Sequence, residues 1–132
     1  MKRLAIIFFL AFLTNIVWEN LHSFLYESYM GHKITQIILL RASLWDAVII
    51  TLISIPFLYL SFFKNKNWMI IFIGFIIALS IEWYALDTGR CIYKAYMPII
   101  PILNVGLTPI VQLALLSYIS YRLQAYVYRR NN

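Results

Sequence analysis

Four long stretches of this chain are almost free of charge, and the charged residues collect at their ends. The stretches cover about residues 4–26, 44–63, 68–86 and 109–126. Each is close to the ~20 apolar helical residues needed to cross a hydrocarbon layer ~30 Å thick. Composition agrees: 63% of the residues are hydrophobic and 12% charged, against ~25% charged in ordinary soluble domains. The chain therefore reads as one all-α domain, a polytopic four-helix membrane bundle. Lys2 and Arg3 ahead of Leu4–Leu13 imitate a signal peptide, but no small-x-small cleavage site follows, so the first stretch is expected to stay as an uncleaved helix. Pro56 is expected to kink the second.

The basic residues set an orientation. Lys2, Arg3, Lys64, Lys66, Arg122, Arg129 and Arg130 fall on one side, and Lys33, Arg41, Arg90 and Lys94 on the other. The larger set belongs inside, which puts both termini in the cytoplasm. This grouping at helix ends also argues against nucleic-acid binding, which needs a basic face. All five acids, Glu19, Glu27, Asp46, Glu82 and Asp87, then lie at or toward the outer side. So do His22 and His32. A single cysteine, Cys91, allows no intrachain disulfide.

The two outer connections are unusual. Ile34–Leu40 is apolar enough to form an interfacial helix, separate from the second span. In Met97-Pro98-Ile99-Ile100-Pro101, two prolines three apart forbid a regular helix. That segment is expected to be a re-entrant piece or a cap over the outer end of the bundle.

Asn15, Glu19, His22 and Tyr26 follow the spacing i, i+4, i+7, i+11 and form a narrow polar stripe on the first helix. A charge at the centre of a membrane helix costs about 2.5–3.5 kcal/mol on insertion scales, so such residues commonly serve a pathway or a ligand. Polar packing between helices would explain the same stripe. In the third span, Gly74, Ala78, Glu82 and Ala85 form a small-residue face that carries Glu82 inward at the depth of Glu19. Two neighbouring carboxyl groups cannot both ionise cheaply, which keeps a proton available. Glu19, His22 and Glu82 are the candidate catalytic residues. Asn15, Tyr26, Asp87, Arg90, Tyr93 and Gln112 are the candidate ligand-binding residues. Ser43-Leu44-Trp45-Asp46 reads as an N-cap with an acid at N3, and Thr108-Pro109 as N-cap and N1 of the last helix. Gly89 suits a C′ position beside an Asp87–Arg90 pair. Glu19-x-x-His22 has the spacing of di-iron bundles, but those need two such pairs and two further glutamates; no metal and no cofactor is assigned.

Glu82-Trp83, Gly89-Arg90, Tyr93, Met97-Pro98, Pro101, Val105-Gly106-Leu107, Pro109 and Gln112, with Asn15-x-x-Trp18-Glu19, form a pattern that resembles small four-helix prokaryotic membrane proteins. The resemblance implies a prokaryotic cytoplasmic membrane and brings no activity with it. Glu82-Trp83-x-x-x-Asp87-x-x-Arg90 is similar to the Glu-Tyr…Asp-x-Arg element of sterol-isomerase-like (EXPERA) proteins, with one residue more between Asp and Arg. The Trp–acid pairs are similar to those of heterodimeric lycopene cyclases, with Pro109-x-x-Gln112 where those have Pro-x-Glu-Glu. Both likenesses imply protonation of an isoprenoid alkene. The expected partner is a membrane lipid, with a homo-oligomer or a partner membrane protein as further options. Two other readings remain open: an ion or proton transporter subunit, and a structural subunit whose polar residues only fix helix packing.

Overall fold

A computed structural model describes residues 1–130. The chain is mostly helical, with four long helices: α1 (Lys2–His22), α2 (Gln36–Tyr59), α3 (Met69–Asp87) and α4 (Leu107–Arg130). The first three are long and apolar enough to cross a membrane. At 1.5 Å per residue, the 19 residues of α3 reach about 28 Å. Large apolar side chains remain on the outer surface of the bundle: Phe9, Leu13, Val17, Leu21 and Phe24 on the first helix and the turn after it, and Phe72 and Ile76 on the third. A helix apolar on both its inward and outward faces suits a hydrocarbon surround.

The fourth helix differs and does not reach the apolarity of the other three. It lies against all of its neighbours, and its inward face carries Gln112, Ser117, Ser120 and Gln124, all buried. Part of its polarity therefore points inward, while Arg122, Arg129 and Arg130 are exposed toward its C-terminal end. At Gly74 the backbones of α3 and α4 come close: a Cβ there would lie 2.9 Å from Ala114 Cα and 3.0 Å from the Leu113 carbonyl oxygen. The α1–α2 and α1–α4 pairs are also closely packed, whereas α2 and α3 meet only sparsely. Ile7, Ala47, Ile50, Phe57, Ile70, Ile110 and Leu113 fill the centre.

Three sequence expectations need correction here. Ile34–Leu40 is no separate interfacial helix, because α2 starts at Gln36 and runs without interruption to Tyr59. Thr35 caps it, with its Oγ1 accepting from the Ile38 N–H at 3.4 Å. Nothing between Thr35 and Ser43 is a helix breaker, so the helix simply continues. Ser43 is then an interior residue whose hydroxyl donates to the Leu39 carbonyl at 2.9 Å, and the Ser43–Asp46 capping box does not exist. Second, α4 begins at Leu107, so Thr108-Pro109 lies inside its first turn; the Thr108 hydroxyl contacts Met97 Sδ at 3.6 Å. Third, α1 ends at His22, and Tyr26 begins a strand instead of extending the helical stripe.

The fold is also not purely helical. β1 (Tyr26–Tyr29) pairs antiparallel with β2 (Cys91–Tyr93), tying the connection after α1 to the one after α3. The proline-rich segment makes a second small ladder, β3 (Ile99–Ile100) against β4 (Val105–Gly106), closed through Asn104 at φ 53°. Asparagine tolerates that left-handed conformation better than most residues. Both ladders lie at the same end of the bundle, over the ends of α1 and α3 and the starts of α2 and α4. Gly89, at φ +66°, ends α3 as expected: Arg90 N–H bonds the Ala85 carbonyl at 2.8 Å and Gly89 N–H bonds Leu86 at 3.1 Å, a Schellman pair.

Candidate functional site

Two hydrogen-bonded groups meet below the strand layer. The first centres on Gln112 of α4. Its side-chain Nε2 donates to Asn15 Oδ1 at 2.8 Å, Glu19 Oε1 at 2.6 Å and Asp46 Oδ2 at 3.0 Å. One amide nitrogen thus joins α1, α2 and α4. It carries two hydrogens but faces three acceptors, two of them carboxyl oxygens. Asn15 is fully buried and anchored by its own donation to the Ala11 carbonyl at 2.7 Å.

The second group centres on Glu82 of α3. Tyr26 Oη donates to Glu82 Oε1 at 3.5 Å, and Tyr93 Oη donates to Glu82 Oε2. Tyr93 Oη in turn accepts the Gly106 N–H at 3.0 Å, so both ladders position this carboxyl group. A Cβ at Gly106 would lie 2.8 Å from Met97 Cε and 3.1 Å from the Tyr93 Cζ and hydroxyl, so both side chains would have to shift to admit one. Burial and the nearby Glu82 push the Tyr93 phenol above its ordinary range, so it acts as a neutral donor.

His22 links the two groups. Its Nε2 lies 3.3 Å from Glu19 Oε2, and its ring meets Tyr26 edge to face at 5.4 Å between centroids. His22 Nδ1 is buried and bonds nothing in the protein.

These residues lie at the floor of a cavity of about 570 Å³, within the 300–1,000 Å³ typical of small-molecule sites. Its walls are largely apolar: Ile38, Leu39 and Ile49 from α2, Ala78 and Ile81 from α3, and Leu113 from α4. The cavity follows the seam where α2 and α3 pack least. Arg41 and Arg90 also line it.

Of the residues singled out in the sequence, Glu19, His22, Tyr26, Glu82, Arg90 and Gln112 line this one cavity. Asn15 and Tyr93 stand behind it, bonded to Gln112 and Glu82. Asp87 does not belong: it is exposed and lines a separate shallow depression with Trp83 and Asn104. The expected Asp87–Arg90 pair does not form among the described residues. The Arg90 guanidinium instead lies over the Tyr84 ring at 5.0 Å. The neighbour of the Glu19 carboxyl group across Gln112 is Asp46 rather than Glu82. Sequence reasoning set Asp46 aside because it placed the helix start at Ser43. The unbroken run from Thr35 was the signal that would have put Asp46 mid-helix, next to the inward-facing Ala47 and one turn before the inward-facing Ile50.

Comparison with protein-family models, curated proteins and solved structures finds no match for this chain. Among the described residues, no group of three His, Cys, Asp or Glu side chains is arranged to hold a metal ion.

Proposed function

We propose that this protein is a polytopic membrane protein that admits a lipid sideways between α2 and α3 and exchanges protons with it at the Glu19–Asp46–His22–Glu82 floor. One observation carries the reading: an apolar-walled cavity along the loosest helix seam ends on three carboxyl groups and the His22 ring. The ladder end faces the extracytoplasmic side, in keeping with the positive-inside count, so the seam opens to lipid of the outer leaflet. α4 crosses with Gln112, Ser117, Ser120 and Gln124 turned into the bundle and Val111, Leu115 and Leu123 on its outer face.

The Gln112 amide nitrogen has two hydrogens for three acceptors, so a hydrogen shared between the Glu19 and Asp46 oxygens would satisfy the third. Acid chemistry needs a substrate group that takes a proton in an apolar setting, and an isoprenoid alkene is such a group. The carboxylic O–H proton passes to one alkene carbon, and the cation on the other carbon is quenched when a base, His22 or a second carboxylate, removes a proton from its neighbour. The double bond moves and no net proton is consumed. Tyr26 and Tyr93 hold Glu82 in place throughout. Arg90, at the rim, faces the lipid's polar end.

The test is a paired measurement on Glu19→Gln, Asp46→Asn and Glu82→Gln. Cells expressing each variant are expected to lose a lipid species that accumulates with the wild type, while melting temperatures in detergent stay within a few degrees. Large stability losses with an unchanged lipid profile would instead make the cluster a packing device. Proton flux in liposomes that disappears in Glu19→Gln would assign the same residues to transport.

A further inference from the structure

The cavity is electrostatically two-ended. Its floor holds three carboxyl groups, and its remaining charged lining residues are two arginines, Arg41 and Arg90. They come from opposite sides of the seam: Arg41 belongs to α2, and Arg90 follows α3 directly. Arg41 lies five residues before Asp46, about 7–8 Å nearer the ladder end. Among the described residues neither arginine pairs with an acid, and the single ion pair is Glu19 with His22. Arg90 is held over Tyr84, itself a cavity residue, while Arg41 is exposed. Two uncompensated guanidinium groups thus flank the entrance to a pocket whose interior repels anions.

We infer that the lipid carries a phosphate headgroup, clamped at the rim between Arg41 and Arg90 while its chain follows the apolar seam. This rests on the lipid-cleft reading above and names the substrate class for it. Charge complementarity argues for the class. A guanidinium matches phosphate oxygens two at a time, and one from each wall holds a phosphate more firmly than either alone. The acidic floor keeps the headgroup at the rim, so the first units of the chain lie against Glu19, Asp46 and His22. A neutral lipid would leave both cations unused, and a cationic one would be repelled at the entrance.

The experiment compares two ligands with the same chain, farnesyl phosphate and farnesol, as competitors of a photoactivatable lipid on purified protein in detergent. Farnesyl phosphate is expected to compete about tenfold or more better than farnesol. Arg41→Gln and Arg90→Gln should each remove a several-fold share of that preference and the double variant all of it. Arg90→Lys should recover part, because it restores charge without the planar fork. Lys64→Gln, at the far end of the bundle, should change nothing. Both arginine positions are exposed, and thermal melts verify that the variants fold. Equal competition by the two ligands would overturn the headgroup inference and leave the cleft reading standing. Failure of both to compete would overturn the cleft reading itself. Inorganic phosphate binding as tightly as farnesyl phosphate would show that free phosphate, not a lipid, is the ligand.

Discussion

Gln112 is the residue on which the buried polar cluster depends. Replacing it with leucine keeps the apolar bulk but leaves Asn15 Oδ1, Glu19 Oε1 and Asp46 Oδ2 without their shared donor. A buried polar atom left unsatisfied costs about 1–3 kcal/mol, more for charged groups. Gln112→Leu is therefore expected to destabilise the fold by several kcal/mol, and adding Asp46→Leu should restore part of it. A double-mutant cycle of detergent melts measures that recovery. Cys91 offers a pH test. Burial, and then the nearby Glu82, push its thiol up to about 12. The thiolate is thus scarce at pH 8, and alkylation there should run about three orders of magnitude slower than for an ordinary cysteine. The rate should rise about tenfold per pH unit past pH 9, where an ordinary thiol levels off. The linkage has the matching sign: the neutral thiol favours the fold at low and neutral pH, and as pH climbs from the ordinary thiol range toward 12 the unfolded chain gains by ionising, so stability falls across that window.

At the scale of elements, two glycines ask for glycine for opposite reasons. At Gly74 the obstacle is another helix, since a Cβ would press on the Ala114 backbone, which has no side-chain end to swing away. Gly74→Ala should cost about 1–3 kcal/mol through overpacking, even though alanine gains up to about 1 kcal/mol in helix propensity. A Cβ at Gly89 would meet nothing within 4 Å; there the φ of +66° sets the cost, about 1–2 kcal/mol. Detergent melts of the two alanine variants, with crosslinking across α3 and α4, separate the mechanisms: only Gly74→Ala should reduce the crosslinking. The Gly74–Ala78–Glu82 face was readable because small residues at helical spacing have few other uses. The bounds of α3 and the glycine stop at its end were readable too, since they depend on local chemistry. The ladders were not. Tyr26–Tyr29 and Cys91–Tyr93 are too short to show a period of two, and their pairing joins residues more than sixty positions apart. Asp46 was missed for a related reason: Ser43-x-x-Asp46 matches a capping pattern, and only the continuous path from Thr35 shows that no helix begins there.

On the scale of the whole molecule, α2 and α3 are joined at one end by the short turn around Lys64–Asn67 and held apart at the other by the cavity. That geometry is a clothes-peg. The jaws lie at Ile38–Ile49 and Ala78–Ala85, and the spring is a turn in which Lys66 sits over the Phe62 ring at 3.7 Å. With arms about 30 Å long, a tilt of about 5° at the turn moves the jaws by about 3 Å. Spin labels at Trp45 and Ile81, both exposed, in a Cys91→Ser background should report a distance that changes with the acyl-chain length of the surrounding bilayer. A distance that stays fixed across bilayers would mean that the seam is rigid. If it moves, the lateral pressure of the membrane becomes an input to this protein, setting how wide the peg stands before any ligand arrives.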